Sequence, residues 1–132
     1  MENNVDVYRN MLDLAETTLE GLEHINTLII EGRFEETVVL YTDVTSSVHE
    51  MKKALLAIWP DFDERELGIK SEKVIEAMKM MLAAYEGERD ARPMEIMQFS
   101  LLPAYRRFYK TLQQELGEQC ASAYHWHRLG NG

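Results

Sequence analysis

Four histidines, one cysteine and a run of carboxylates are the side chains here that could do chemistry, and their spacing limits what that chemistry is. A di-iron centre in a helical bundle needs Glu-x-x-His on two helices. His24 has Gly21 three residues before it and His49 has Ser46, so neither supplies the motif. His49 and Glu50 open like a zinc-protease sequence, but Lys53 stands where the second histidine belongs. His125 and His127, with Cys120 nearby, would share one side of an extended segment and offer donors to zinc. Together with His49 they define one functional reading, a metal-dependent helical-bundle enzyme. Asp61, Asp63, Glu64 and Glu66 suggest a calcium loop, yet the EF-hand spacing and its central glycine are missing, which favours a solvated acidic loop. Cys120 has no partner for nucleophilic catalysis in the sequence beyond His125, and neither a Gly-x-Ser-x-Gly motif nor a glycine-rich phosphate loop occurs. No cofactor is implied.

A second reading comes from methionine. Five of the eight methionines fall between Met78 and Met97, and Met80 and Ile96 lie off the main apolar stripes. Methionine fills irregular gaps in cores and also lines adaptable binding grooves. Met80, Met94 and Met97 are therefore the candidates for an apolar strip between the third and fourth helices. Such a strip would accept a partner's amphipathic segment or a second copy of the chain. Arg106, Arg107 and Lys110 alternate with Tyr105, Phe108 and Tyr109, an arrangement that can mark nucleic-acid binding. At helical spacing, however, Tyr105 and Phe108 turn inward and leave the cations on a solvated face.

The elements that position these residues read as helices. Phe34, Val38, Tyr41, Val44, Val48, Met51, Leu55 and Ile58 recur in steps of three and four, one stripe of a 3.6-residue helix. Gly32 closes the segment before it and Pro60 ends it. Its middle third is rich in Val and Thr and has weak intrinsic helix propensity, so tertiary packing must hold it. Before it, Tyr8, Met11, Ala15, Leu19, Leu22, Ile25 and Ile29 mark a first helix. Gly21 inside that helix leaves room for a neighbour to approach closely. Residues 60–70 read as a polar loop or contain a short turn, and Ser71 reads as the N-cap of a third helix, with Val74, Ile75, Met78, Met81, Leu82 and Tyr85 inward. Pro93 opens a fourth helix, tolerated in the first turn and continuing through Met94, Met97, Leu101, Tyr105, Phe108, Leu112 and Leu116, while Pro103 within it predicts a kink there or a false start before it.

The prediction is an all-α, antiparallel four-helix bundle with helices at about 5–31, 34–59, 71–85 and 93–116. Residues 117–132 form a tail packed back on the bundle or on a second subunit. The 132 residues make a single domain, with 45% hydrophobic and 28% charged residues, a globular balance.

The net charge of −9 argues against nucleic-acid phosphates and anionic membranes as partners and points to neutral or basic protein surfaces. A single cysteine suits a reducing compartment. The first ten residues lack the features of a signal peptide, and no apolar run approaches the roughly 20 residues that span a bilayer. A cytoplasmic location is expected. In size, charge and helical-hairpin layout the chain resembles bacterial flagellar and secretion export chaperones. That resemblance implies a small acidic adaptor, regulator or chaperone that binds a protein partner, or itself, through an apolar helix face.

Overall fold

The computed structural model describes residues 5–130, with side chains as far as residue 119. It is an all-α bundle of four helices, with no strand among the described residues. Helix α1 is Val5–Ile30, α2 is Val38–Ile58 and α3 is Glu66–Tyr85. Helix α4 covers 93–130 and consists of Pro93–Ile96, a π turn at Met97–Leu101, and Leu102–Gly130. Helix α1 packs along both α2 and α4, and α4 also packs along α3.

The α1–α2 connection is short because α1 ends in a pair of reverse hydrogen bonds, Arg33 N–H to the Leu28 carbonyl and Gly32 N–H to that of Ile29. A 3₁₀ turn at Phe34–Thr37 then leads into α2. Gly21 allows the close approach expected of it: a Cβ there would lie 3.2 Å from Val44 Cγ2. Trp59 adopts an extended backbone ahead of Pro60, whose ring disfavours the helical conformation in the residue before it, and α2 stops. Along α2 and α3 the partners run in opposite order. Thr37 meets Tyr85, Tyr41 donates to the Met78 carbonyl, and Lys52 lies 3.8 Å from Glu72.

Three boundaries differ from the sequence expectation, the first being that of α2, which begins at Val38 behind a 3₁₀ turn rather than at Phe34. Helix α3 begins at Glu66, not Ser71; Ser71 is buried inside it and its hydroxyl donates to the Gly68 carbonyl rather than capping a helix start. The segment after Pro60 contains a short turn, one of its two expected forms, and this 3₁₀ turn at Phe62–Glu64 places Phe62 wholly in the core. Helix α4 runs through Gly117 to Gly130, so the backbone of the expected tail continues the helix. The side chains from residue 120 onward, and whether that tail packs on the bundle, lie outside the described residues.

The π turn explains how α4 accommodates Pro103. In a regular helix the proline ring would press on the carbonyl four residues earlier, that of Phe99, and could not donate to it. Widening the turn so that Leu102 N–H bonds to the Met97 carbonyl, five residues back, absorbs the mismatch. The extra residue also shifts the buried face. Downstream of the turn the expected stripe of Tyr105, Phe108, Leu112 and Leu116 is buried. Upstream, Ile96 and Met97 face inward and Met94 is turned out.

Candidate functional site

Of the candidate metal ligands His49, His125 and His127, His49 is the one whose side chain is among those described. His49 and His24 both stand exposed, on α2 and α1. No three His, Cys, Asp or Glu side chains gather to hold an ion among the described residues. The side chains of Cys120, His125 and His127 lie outside that set. Their backbone is helical, not the extended segment expected. In the acidic segment, Asp61 pairs with Arg65 at 3.0 Å and Glu66 with Lys70 at 2.9 Å. Arg65 also lies over the Trp59 ring, 4.3 Å from its centroid. Lys70 donates to Thr111 Oγ1 at 2.8 Å, which ties α3 to α4.

Of the methionine candidates, the structure divides one from the other two. Met97 is fully buried in the core, on the same stripe as Leu101 and Tyr105, and so it does not form surface. Met80 and Met94 are each nearly half exposed. Met80 does line an open groove of about 490 Å³ between the end of α3, the loop after it and the start of α4; Met94 does not. Of the apolar residues lining it, Ala83, Ala91 and Ile96 are buried or half-buried and make its floor, and the exposed Met80 and Phe99 make its lip. Phe99 is 76% exposed, more than any other large apolar side chain among the described residues. It sits in the π turn, where the helix register is displaced by Pro103. π turns inside helices occur often at functional positions. Three carboxylates, Glu88, Asp90 and Glu95, rim the groove with one guanidinium, Arg92, which Glu95 holds at 3.4 Å.

Sequence periodicity pointed to the α3–α4 region through its methionines but overlooked Phe99. The available signal was Pro103: a proline inside a helix displaces the residues just before it, and an aromatic four residues upstream is where that displacement falls.

The remaining polar features are structural. Tyr105 is fully buried and donates to the Ala15 carbonyl at 2.7 Å, so burial raises its pKa. Arg106 reaches Glu23 at 3.3 Å, while Tyr105 and Phe108 point inward, leaving Arg106, Arg107 and Lys110 exposed as the helical spacing predicted. Glu115 Oε2 is buried with no hydrogen-bond partner among the described residues. Burial, more than the neighbouring charges, holds the Glu115 carboxyl above its usual pKa.

The fold and the groove place this protein among small all-α helical bundles. Residues 6–111 match the model of the family described as Domain of unknown function (DUF8042), and the chain belongs to that family. The groove, from Met80 to Ser100, lies wholly within the matched span. No curated protein and no solved structure matches the chain. No helix among the described residues is long and apolar enough to cross a membrane.

Proposed function

We propose that this protein is a small acidic interaction module, an adaptor, regulator or chaperone-like protein of the cytoplasm, and that it seats a protein segment in the α3–α4 groove. The observation that carries this reading is the exposure of Phe99 beside that groove. A large aromatic left in water forgoes roughly 2 kcal/mol of burial free energy, which a partner's surface can recover. Aromatic side chains at the centre of a contact patch supply much of the binding energy of protein interfaces. With Met80 opposite, Phe99 forms a lip that can close on an apolar residue of a partner, and methionine adapts to its shape. The net charge of −9 makes a protein partner a better fit than nucleic acid.

The test is a comparative pull-down with the whole protein and with the Met80→Gln/Phe99→Ser double variant as baits. Both substitutions lie on the surface, and matching thermal unfolding of the two baits establishes that the fold is intact. A stoichiometric protein retained by the first bait and lost from the second is the expected result. Identical captures from the two baits would remove the groove from consideration.

A further inference from the structure

We infer that the occupant of the α3–α4 groove is a basic amphipathic helix of another protein, with apolar anchors on one face and Lys or Arg on its flanks. This rests on the groove being the binding site, as proposed above, and adds the chemistry of what it binds.

The shape of the site selects a helix. It lies between two helices, and among the described residues no strand edge is available to which an extended peptide could add. Polyproline segments are recognised by grooves built of several aromatic rings. Phe99 is the one aromatic residue lining this groove. The floor residues Ala83 and Ala91 are small, which lets a helix come close, and the apolar area is bracketed by Met80 on α3 and Phe99 on α4. A helix laid there can present residues at i, i+3 or i+4, and i+7 to the floor and the two lips.

The charge of the rim selects a basic one. Arg92 is engaged by Glu95, so the groove offers the carboxylates of Glu88 and Asp90 without a lining cation to balance them. Both belong to exposed positions of the α3–α4 loop. Arg89, in the same loop, does not line the groove. A partner helix carrying carboxylates on its flanks would face like charges at the rim, and one carrying lysines would meet opposite ones. Rim charges of this kind govern the rate of encounter and its salt dependence more than the final affinity.

Three synthetic amphipathic helices test this, each of about four turns with the same leucine face and with the polar face made of Lys, Glu or Gln. Binding to the full-length protein is read by fluorescence anisotropy at several salt concentrations. The Lys peptide is expected to bind most tightly and to weaken with salt. Phe99→Ser should cost at least about tenfold in its affinity, and Glu88→Gln/Asp90→Asn should flatten the salt dependence. Circular dichroism and thermal unfolding verify that each variant is folded.

If the Gln or Glu peptide binds at least as tightly, with the same dependence on Phe99, the basic-partner inference is overturned while the groove remains the binding site. If no peptide binds, or if binding ignores Phe99, both fall. Sedimentation of the protein alone covers the remaining occupant. Self-association abolished by Phe99→Ser would put a second copy in the groove and overturn the inference of a basic helix.

Discussion

The Tyr85 hydroxyl lies 2.6 Å from Thr37 Oγ1, joining the last residue of α3 to the 3₁₀ turn that precedes α2. Thr37 donates its own proton to the Phe34 carbonyl, also at 2.6 Å, so Tyr85 must be the donor of the pair. The Tyr85 ring stacks on Phe34 at 4.6 Å and contacts Tyr41 at 4.7 Å, so the hydrogen bond sits at the edge of an aromatic cluster. Tyr85→Phe keeps the rings and removes the donor, and should cost about 1 kcal/mol. Thr37→Val removes the acceptor at a fully buried position together with the bond to the Phe34 carbonyl, and should cost about 2 kcal/mol. Because each change breaks the same bond, the double variant should be less destabilised than the two single effects added together. Urea denaturation of the four proteins measures this, and strict additivity would show that the two hydroxyls do not interact.

Two glycines inside helices should respond to alanine with opposite signs. A Cβ on Gly68 would lie 1.9 Å from the Phe62 carbonyl oxygen and 2.8 Å from its carbon, and backbone cannot swing aside as a side chain can. Gly68→Ala should therefore cost about 3 kcal/mol or more, the upper end for overpacking, by pushing the Phe62 turn out of the core. A Cβ on Gly117 meets nothing within 4 Å. Gly117→Ala should stabilise α4 by up to about 1 kcal/mol, because alanine loses less backbone freedom on becoming helical. Thermal unfolding separates the two. A neutral Gly68→Ala would mean that the Phe62 turn is free to move.

Much of this fold was legible in the sequence because helical periodicity registers burial directly. The stripe from Tyr41 to Leu55 and that from Tyr105 to Leu116 are both core, as their spacing requires. Several misreadings share a cause, a short element whose geometry changes the register, whereas Leu82, expected inward within the regular helix α3, is half exposed without one. The 3₁₀ turn after Pro60 hid Phe62 among acidic residues, and with it the start of α3 five residues before Ser71. The 3₁₀ turn at Phe34–Thr37 displaced Val38, which is half exposed although it belongs to the expected stripe. At the candidate site the π turn did the same: Ile96, off the expected stripe, is buried, Met94, on it, is turned out, and Phe99 is left exposed. Periodicity assumes a constant advance of 100° per residue, and where the turn widens or tightens the prediction slips by one position.

Glu115 should be a site where charge lowers stability. Its raised pKa means that folding favours the neutral acid, so its unfavourable effect is absent well below the unfolded carboxyl range and develops as pH rises through that range to the folded value. Arg65 and Lys70 offset part of the cost, whereas Glu66 and Glu118 add to it. Glu115→Gln, which keeps the shape and removes the charge, should raise the urea midpoint at neutral pH and leave it nearly unchanged in mild acid. A lower midpoint at neutral pH would indicate that the pairing with Arg65 and Lys70 outweighs burial.

The buried tyrosines predict how the bundle fails in alkali. Tyr41 and Tyr105 donate to backbone carbonyls, of Met78 and Ala15, in the packed interior. Burial raises the pKa of both, and the neighbouring Tyr85 raises that of Tyr41 further. An unfolded tyrosine ionises near pH 10. Below that pH both states hold the phenol proton, and the contribution of these residues to stability is fully present. Above it the unfolded chain has released protons that the folded chain retains, so stability falls with rising pH until the folded tyrosines themselves ionise. Tyrosinate absorbance from these two residues should therefore appear together with the loss of helical circular dichroism, in one transition. Tyr41→Phe/Tyr105→Phe should show a shallower loss of stability above pH 10, despite starting about 2 kcal/mol less stable for want of two buried hydrogen bonds. Ionisation of every tyrosine near pH 10 with the helical signal intact would contradict the placement of these two hydroxyls in the core.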